Sequence, residues 1–178
     1  MPMSNQSAHP AERLAGAFGE DTPAPPGSAG LVVAVVGSFR QHYAHVVHAA
    51  EAFVAAGITV GSPSLSKIVN PGEEFARFAS DPPQVPDHHI QAATLEKIFT
   101  SDFVYVVAPG GYIGRTTSYE LGRIHERGIP TYYSEMPKDL PIGIPQDLVR
   151  SAACLAARLG TSAPSGVVGP ALGKEPPL

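Results

Sequence analysis

Only one cysteine, Cys154, occurs among the 178 residues, and it stands in the apolar stretch SAACLAARLG. An internal disulfide and a multi-cysteine metal site are therefore both excluded, and a cytoplasmic location is expected. An excess of positive charge is lacking as well. At a formal charge of -4 and a pI near 5.9, the chain has no broad positive field to attract a nucleic acid polymer. A single nucleotide, which a few local donors can hold, is not excluded. No apolar run reaches the roughly 20 residues of a membrane span, and no basic start precedes a long apolar block at the N-terminus. Neither membrane insertion nor secretion is expected.

What is present is enough for one core-bearing domain, since a chain of this size buries roughly two-thirds of the surface that its unfolded form exposes. Residues 1–29 and 161–178 are rich in Pro, Gly, Ala and Ser without periodic apolar positions, and are expected to be flexible tails flanking a domain over 30–160. Within the domain, short apolar runs at Leu31 to Val36, Ile58 to Val60, Phe103 to Val107 and Pro130 to Tyr133 have the pattern of buried strands. Segments at about 40–56, 87–100, 116–127 and 145–159 have the pattern of helices. The alternation predicts an α/β fold: a doubly wound, mainly parallel sheet of four to five strands with helices on both faces, Rossmann-like in outline.

In such sheets ligands bind beyond the carboxyl ends of the strands, where strand order reverses. Two loops occupy that position. Gly37-Ser38-Phe39-Arg40 follows the first strand, and Pro109 to Thr117, PGGYIGRTT, follows the third. Both combine glycines, which let backbone N–H groups approach a ligand, with hydroxyls and an arginine, and both lead into helix N-termini, where anions are favoured. A phosphate site is one reading of these junctions; a plain tight turn is the other.

Thr117 and Glu120 have the spacing of a capping box, with Thr117 capping the helix and Glu120 reaching back to the cap. The functional alternative places Glu120 in the crevice, held ionised by the positive end of the helix, as a carboxylate nucleophile requires. Gly122, inside the same helix, costs about 1 kcal/mol relative to alanine and suggests close approach to the sheet or to another chain.

The segments VVGSFR, SDFVYVV and GYIGRTTSYELGR followed by GIPTYY resemble the nucleoside 2-deoxyribosyltransferase superfamily, which includes nucleoside 5′-monophosphate N-glycosidases. The resemblance covers residues 31 to about 135. It implies that Glu120, in Glu-Leu-Gly, is the nucleophile at the anomeric carbon. It also implies that Gly37, Ser38 and Arg40 form a phosphate loop, with Gly114, Thr116 and Thr117 completing the phosphate site. Gly114 stands where relatives acting on unphosphorylated nucleosides usually have an aspartate, which favours a nucleotide substrate. Thr94 stands where many relatives have an active-site aspartate, and Ala34 where a tyrosine is frequent. The implied reaction is hydrolysis of a nucleoside 5′-monophosphate through a glycosyl-enzyme, with water resolving the intermediate. Base exchange by a deoxyribosyltransferase and a non-catalytic nucleotide sensor are the alternatives.

No cofactor and no metal are expected. His42, His45, His48 and Glu51 recur every three residues, a spacing that drifts about 60° per step around a helix, so at most two point the same way. Phe39, Phe75 and Phe78 are candidate base contacts and Glu73, Glu74 or His88 candidate sugar or base contacts, against a bland alternative of loop anchoring. Asp102 is expected to order a helix-to-strand junction. The long segment from Ser62 to Pro86 is expected to be a structure-poor binding loop or lid. The resemblance further implies a homodimer or higher homo-oligomer, with Gly122 on the candidate contact helix.

Overall fold

The computed structural model describes residues 30–73 and 75–160; both expected tails, and Glu74, lie outside the described residues. β1 (Val32–Gly37) and β3 (Phe103–Val107) consist almost wholly of β-branched and aromatic residues. Such residues suit a strand buried on both faces, and alternate side chains then serve opposite cores. Val33, Val35, Phe103, Tyr105 and Val107 pack with α1 (Phe39–Ala55) and α4 (Ala152–Gly160). Ala34, Val36, Val104 and Val106 pack on the other side with α2 (Asp87–Phe99) and α3 (Arg115–Glu126).

With β2 (Thr59–Ser62) and β4 (Thr131–Tyr133), these strands form a parallel sheet in the order β2-β1-β3-β4. The α/β architecture expected from the alternation is thus present, with four strands. A fifth contributes only an isolated parallel bridge from Tyr133 to Val149. The chain leaves β1 for β2 on one side and returns to β3 on the other, so the loops after β1 and β3 part at the switch point. Asp102 orders the junction as expected, its Oδ2 accepting from Val32 N at 2.8 Å.

Each helix has its stripe. Val46, Ala49, Ala50 and Phe53 are the buried face of α1, and Ala152, Leu155, Ala156 and Leu159 that of α4, both at the i, i+3, i+4, i+7 spacing. The helix expected over 145–159 starts later than its pattern suggests. Pro145 opens a short 3-10 turn at Gln146–Leu148, and Val149 is extended so that Arg150 N can reach Tyr133 O at 2.8 Å. Among the described residues no helix is long and apolar enough to cross a membrane.

The segment from Ser62 to Pro86 is more ordered than a structure-poor loop. Ile68 pairs with Phe78 in an antiparallel bridge, and Asn70 brackets the turn between them, donating to Phe75 O and accepting from Arg77 N. Tyr43 on α1 donates to Ser66 O at 2.8 Å, and Arg77 pairs with Asp87 at 2.6 Å, so both ends of the flap are tied to helices.

Candidate active site

A cleft of about 230 Å³ opens above the carboxyl ends of β1 and β2, between the flap, α2 and the start of α3. Its two loops approach closely because their glycines allow it. A methyl group on Gly37 would lie 2.9 Å from Val107 O, so only glycine lets β1 end this close to β3. Ser38 then caps α1, its Oγ accepting from Gln41 N at 3.4 Å while its proton stays free to donate. The second loop is braced from behind: Glu135 Oε2 accepts from Gly110 N at 3.0 Å, and Gly111 O accepts from Lys138 N at 3.1 Å. The amide of Gly111 goes to Ala108 O. Gly110 and Gly111 therefore shape the loop and do not offer their N–H groups to a ligand, a correction to the expectation for this segment.

Helix α3 begins at Arg115 with Gly114 as its cap, and no side chain caps it. Thr117 is consequently the third residue of the helix, and the expected capping box is absent. Ser118, through both its amide and its hydroxyl, satisfies Gly114 O instead. The buried residues of α3 are Thr117, Glu120, Leu121 and Ile124, which is the i, i+3, i+4, i+7 stripe of a core-facing helix. A carboxylate occupies a position that the fold would give to an aliphatic side chain.

Glu120 is 4% exposed, and its Oε1 accepts from Gln91 Nε2 on α2 at 2.9 Å. Burial pushes its pKa up to about 7, and the Gln91 hydrogen bond works in the opposite direction without overcoming it. Burial, and not the helix terminus, therefore dominates the ionisation of Glu120 and leaves it partly protonated near neutral pH. The carboxyl sits more than one turn inside α3, where the terminal field has decayed and desolvation dominates.

Comparison of the chain with protein-family models, with curated protein sequences and with solved structures finds no match.

Gly37, Ser38, Arg40, Gly114, Thr116, Thr117 and Glu120 all line this one cleft, so residues drawn from two separate loops and a helix stripe converge. Phe39, Phe75 and Phe78 line it too. Phe78 is also anchored by packing, with ring centroids 5.4 Å from Phe39 and 6.1 Å from Tyr43. His88 is not brought in: it is exposed, its ring 4.3 Å from that of His89. Glu74 lies outside the described residues. Gly122 is exposed, and a side chain there would meet no atom within 4 Å, so this glycine does not serve close packing against the sheet. Among the described residues no group of three or more His, Cys, Asp or Glu could hold a metal ion.

Sequence reasoning passed over Gln91 and Lys97, and counted Arg115 only as the arginine of the second loop; all three line the cleft. Gln91, Thr94 and Lys97 follow one another at intervals of three along α2, a drift of about 60° per step that spreads them along the side of the helix bordering the cleft. The cations of the cleft are thus Arg40, Arg115 and Lys97, against the carboxylates Glu120 and Asp81. Asp81 is occupied by Phe78 N at 2.7 Å. Such an arrangement can accept an anion through its hydroxyls and arginines, with the Glu120 carboxyl lining the same cleft.

Proposed function

We propose that the protein hydrolyses the N-glycosidic bond of a nucleoside 5′-monophosphate, as the resemblance to the nucleoside 2-deoxyribosyltransferase superfamily implies. One observation carries the reading: Glu120 interrupts the buried stripe of α3 where that stripe meets a cleft lined by Ser38, Arg40, Thr116 and Thr117. Keeping a carboxylate buried costs stability, and a role at the reacting centre accounts for its retention.

The phosphate is held by Arg40 and the hydroxyls at the ends of the two loops, which fixes C1′ against Glu120. A Glu120 oxygen attacks C1′, the C1′–N bond breaks, and its electron pair leaves with the base. Water then attacks C1′, displacing Glu120 as the carboxylate, and the proton that the water loses balances the one that the departed base takes up from solvent. Phe75 and Phe78 stand on the wall where a base can stack.

The test is chromatography of ribo- and deoxyribonucleoside monophosphates after incubation with the protein and with Glu120→Ala. Free base is expected from at least one substrate with the wild type and from none with the variant. If no free base appears from any substrate, the hydrolase reading fails; a new nucleoside on addition of a second base points to transfer.

The reading extends to a cytoplasmic homodimer. The exposed side of α3, with Tyr119 at 51% exposure and the open Gly122, is the face offered to a second copy. Light scattering should give a mass near twice 18.6 kDa; a fully active monomer at nanomolar concentration would refute a shared site.

A further inference from the structure

Glu120 does not stand alone in its buried position. Gln91 lies in the second turn of α2, which starts at Asp87, and its Nε2 donates to Glu120 Oε1 at 2.9 Å. The two helices also meet at their other ends, where the guanidinium carbon of Arg127 sits 3.8 Å from the centre of the Phe99 ring. Leu95 and Ile98 of α2 pack with Leu121 and Ile124 of α3 in the same core. The Gln91 amide thus reaches the carboxyl from a helix that shares a core with α3. With Oε1 engaged, Oε2 is the oxygen left for a ligand in the cleft that Glu120 lines.

We infer that Gln91 is a positioning residue for Glu120: it holds Oε1, turns Oε2 toward the reacting carbon, and favours the anionic form. The identity of that carbon rests on the N-glycosidase reading, whereas the hydrogen bond and its effect on ionisation do not. Gln91 contributes a neutral donor, which stabilises the carboxylate while adding no charge that would pair with it and block attack. The charged groups facing the same cleft are Lys97 on α2, Arg40 after β1, Arg115 on α3 and Asp81 in the flap. They are common to every variant compared, so a change in the titration of Glu120 reports on position 91.

The experiment is a pH titration of the full chain carrying ¹³C-labelled glutamate, with the Glu120 resonance assigned by its loss in Glu120→Gln. Gln91→Met keeps the volume and removes the donor, so the Glu120 midpoint should rise by about one pH unit. Gln91→Glu adds a like charge and should raise it further. The pH profile of base release should move with the titration, lowering kcat/KM at pH 6 by roughly tenfold for Gln91→Met, with little change in KM. A glutamine that served folding alone would lower activity and thermal stability without moving either midpoint. An unshifted or lowered Glu120 midpoint in Gln91→Met, or in Gln91→Ala should the first variant not fold, overturns the inference. If the wild type frees no base from any nucleotide, the glycosidase reading falls, while the titration still decides the role of Gln91.

Discussion

Ser38 and Gly114 face each other across the mouth of the cleft: a methyl group at position 114 would lie 3.6 Å from Ser38 Cβ and 3.7 Å from its Oγ. These are ordinary contacts, so Gly114→Ala should fold with an unchanged Tm and weaken nucleotide binding by crowding the phosphate entrance. Gly37→Ala is different. Its methyl group would meet Val107 O at 2.9 Å and Val107 Cβ at 3.1 Å. It should destabilise the fold by ~1–3 kcal/mol, as overpacking does. Thermal unfolding beside calorimetric titration with a nucleoside monophosphate separates the two; equal loss of Tm in both would show that the loops do not pack as described.

Stability should depend on pH through Glu120. Its folded pKa, about 7, lies above the ordinary 4.5, so the folded state holds this proton more tightly than the unfolded chain. The relative stabilisation is complete below about pH 4.5 and is lost as pH rises to about 7. Glu120→Gln should accordingly match the wild type near pH 4 and exceed it at pH 8 by ~3 kcal/mol. Denaturant unfolding at the two pH values checks this; a difference independent of pH would contradict a buried, titrating carboxyl.

Turnover should have the opposite slope. A nucleophile must be ionised, so kcat/KM for base release should climb about tenfold per pH unit below 7 and level off above it. Activity that instead fell through the same range would identify Glu120 as a proton donor.

Phosphate recognition should be visible as a difference between substrates. Arg40→Ala removes a charge-assisted contact worth roughly 1.5–3 kcal/mol, so KM for a nucleoside monophosphate should rise about 10- to 100-fold. Its effect on the corresponding nucleoside should be slight. Equal effects on both, measured by steady-state kinetics, would place the phosphate elsewhere.

At Gly122, open space permits a test of the surface of α3. Gly122→Ala replaces the poorest non-proline helix former by the best and meets no atom. In a monomer it should stabilise the helix by ~0.5–1 kcal/mol, raising Tm by roughly 1–4 °C, whereas in the proposed dimer the added methyl group crowds the second copy and offsets that gain. A drop in Tm together with a halved mass in light scattering would show that another backbone packs on this glycine.

Much of the architecture follows from local pattern. β3 matches its expected bounds because FVYVV is apolar at every position, as a central parallel strand must be, and α1 and α2 begin and end within one residue of their apolar stretches. The later start of α4 was hidden because Val149 is drawn into extended pairing by Tyr133, a partner 16 residues away. Local periodicity does not register such a contact.

For the site, the chain order of residue types already placed glycines, hydroxyls and arginines after β1 and β3, and put Glu120 in register with Leu121 and Ile124. Three matters were left to the tertiary structure. Gln91 became the partner of Glu120 because α2 and α3 pack on the same side of the sheet, although 29 residues separate them. The ionisation of Glu120 is governed by how deeply that packing buries it, and desolvation outweighs the helix terminus that the linear sequence emphasised. The surroundings of Gly122 were settled the same way, since its side of α3 faces outward. Periodicity determines which residues share a face; only the assembled layers decide what each face meets, because burial and hydrogen bonding depend on groups far away in the chain.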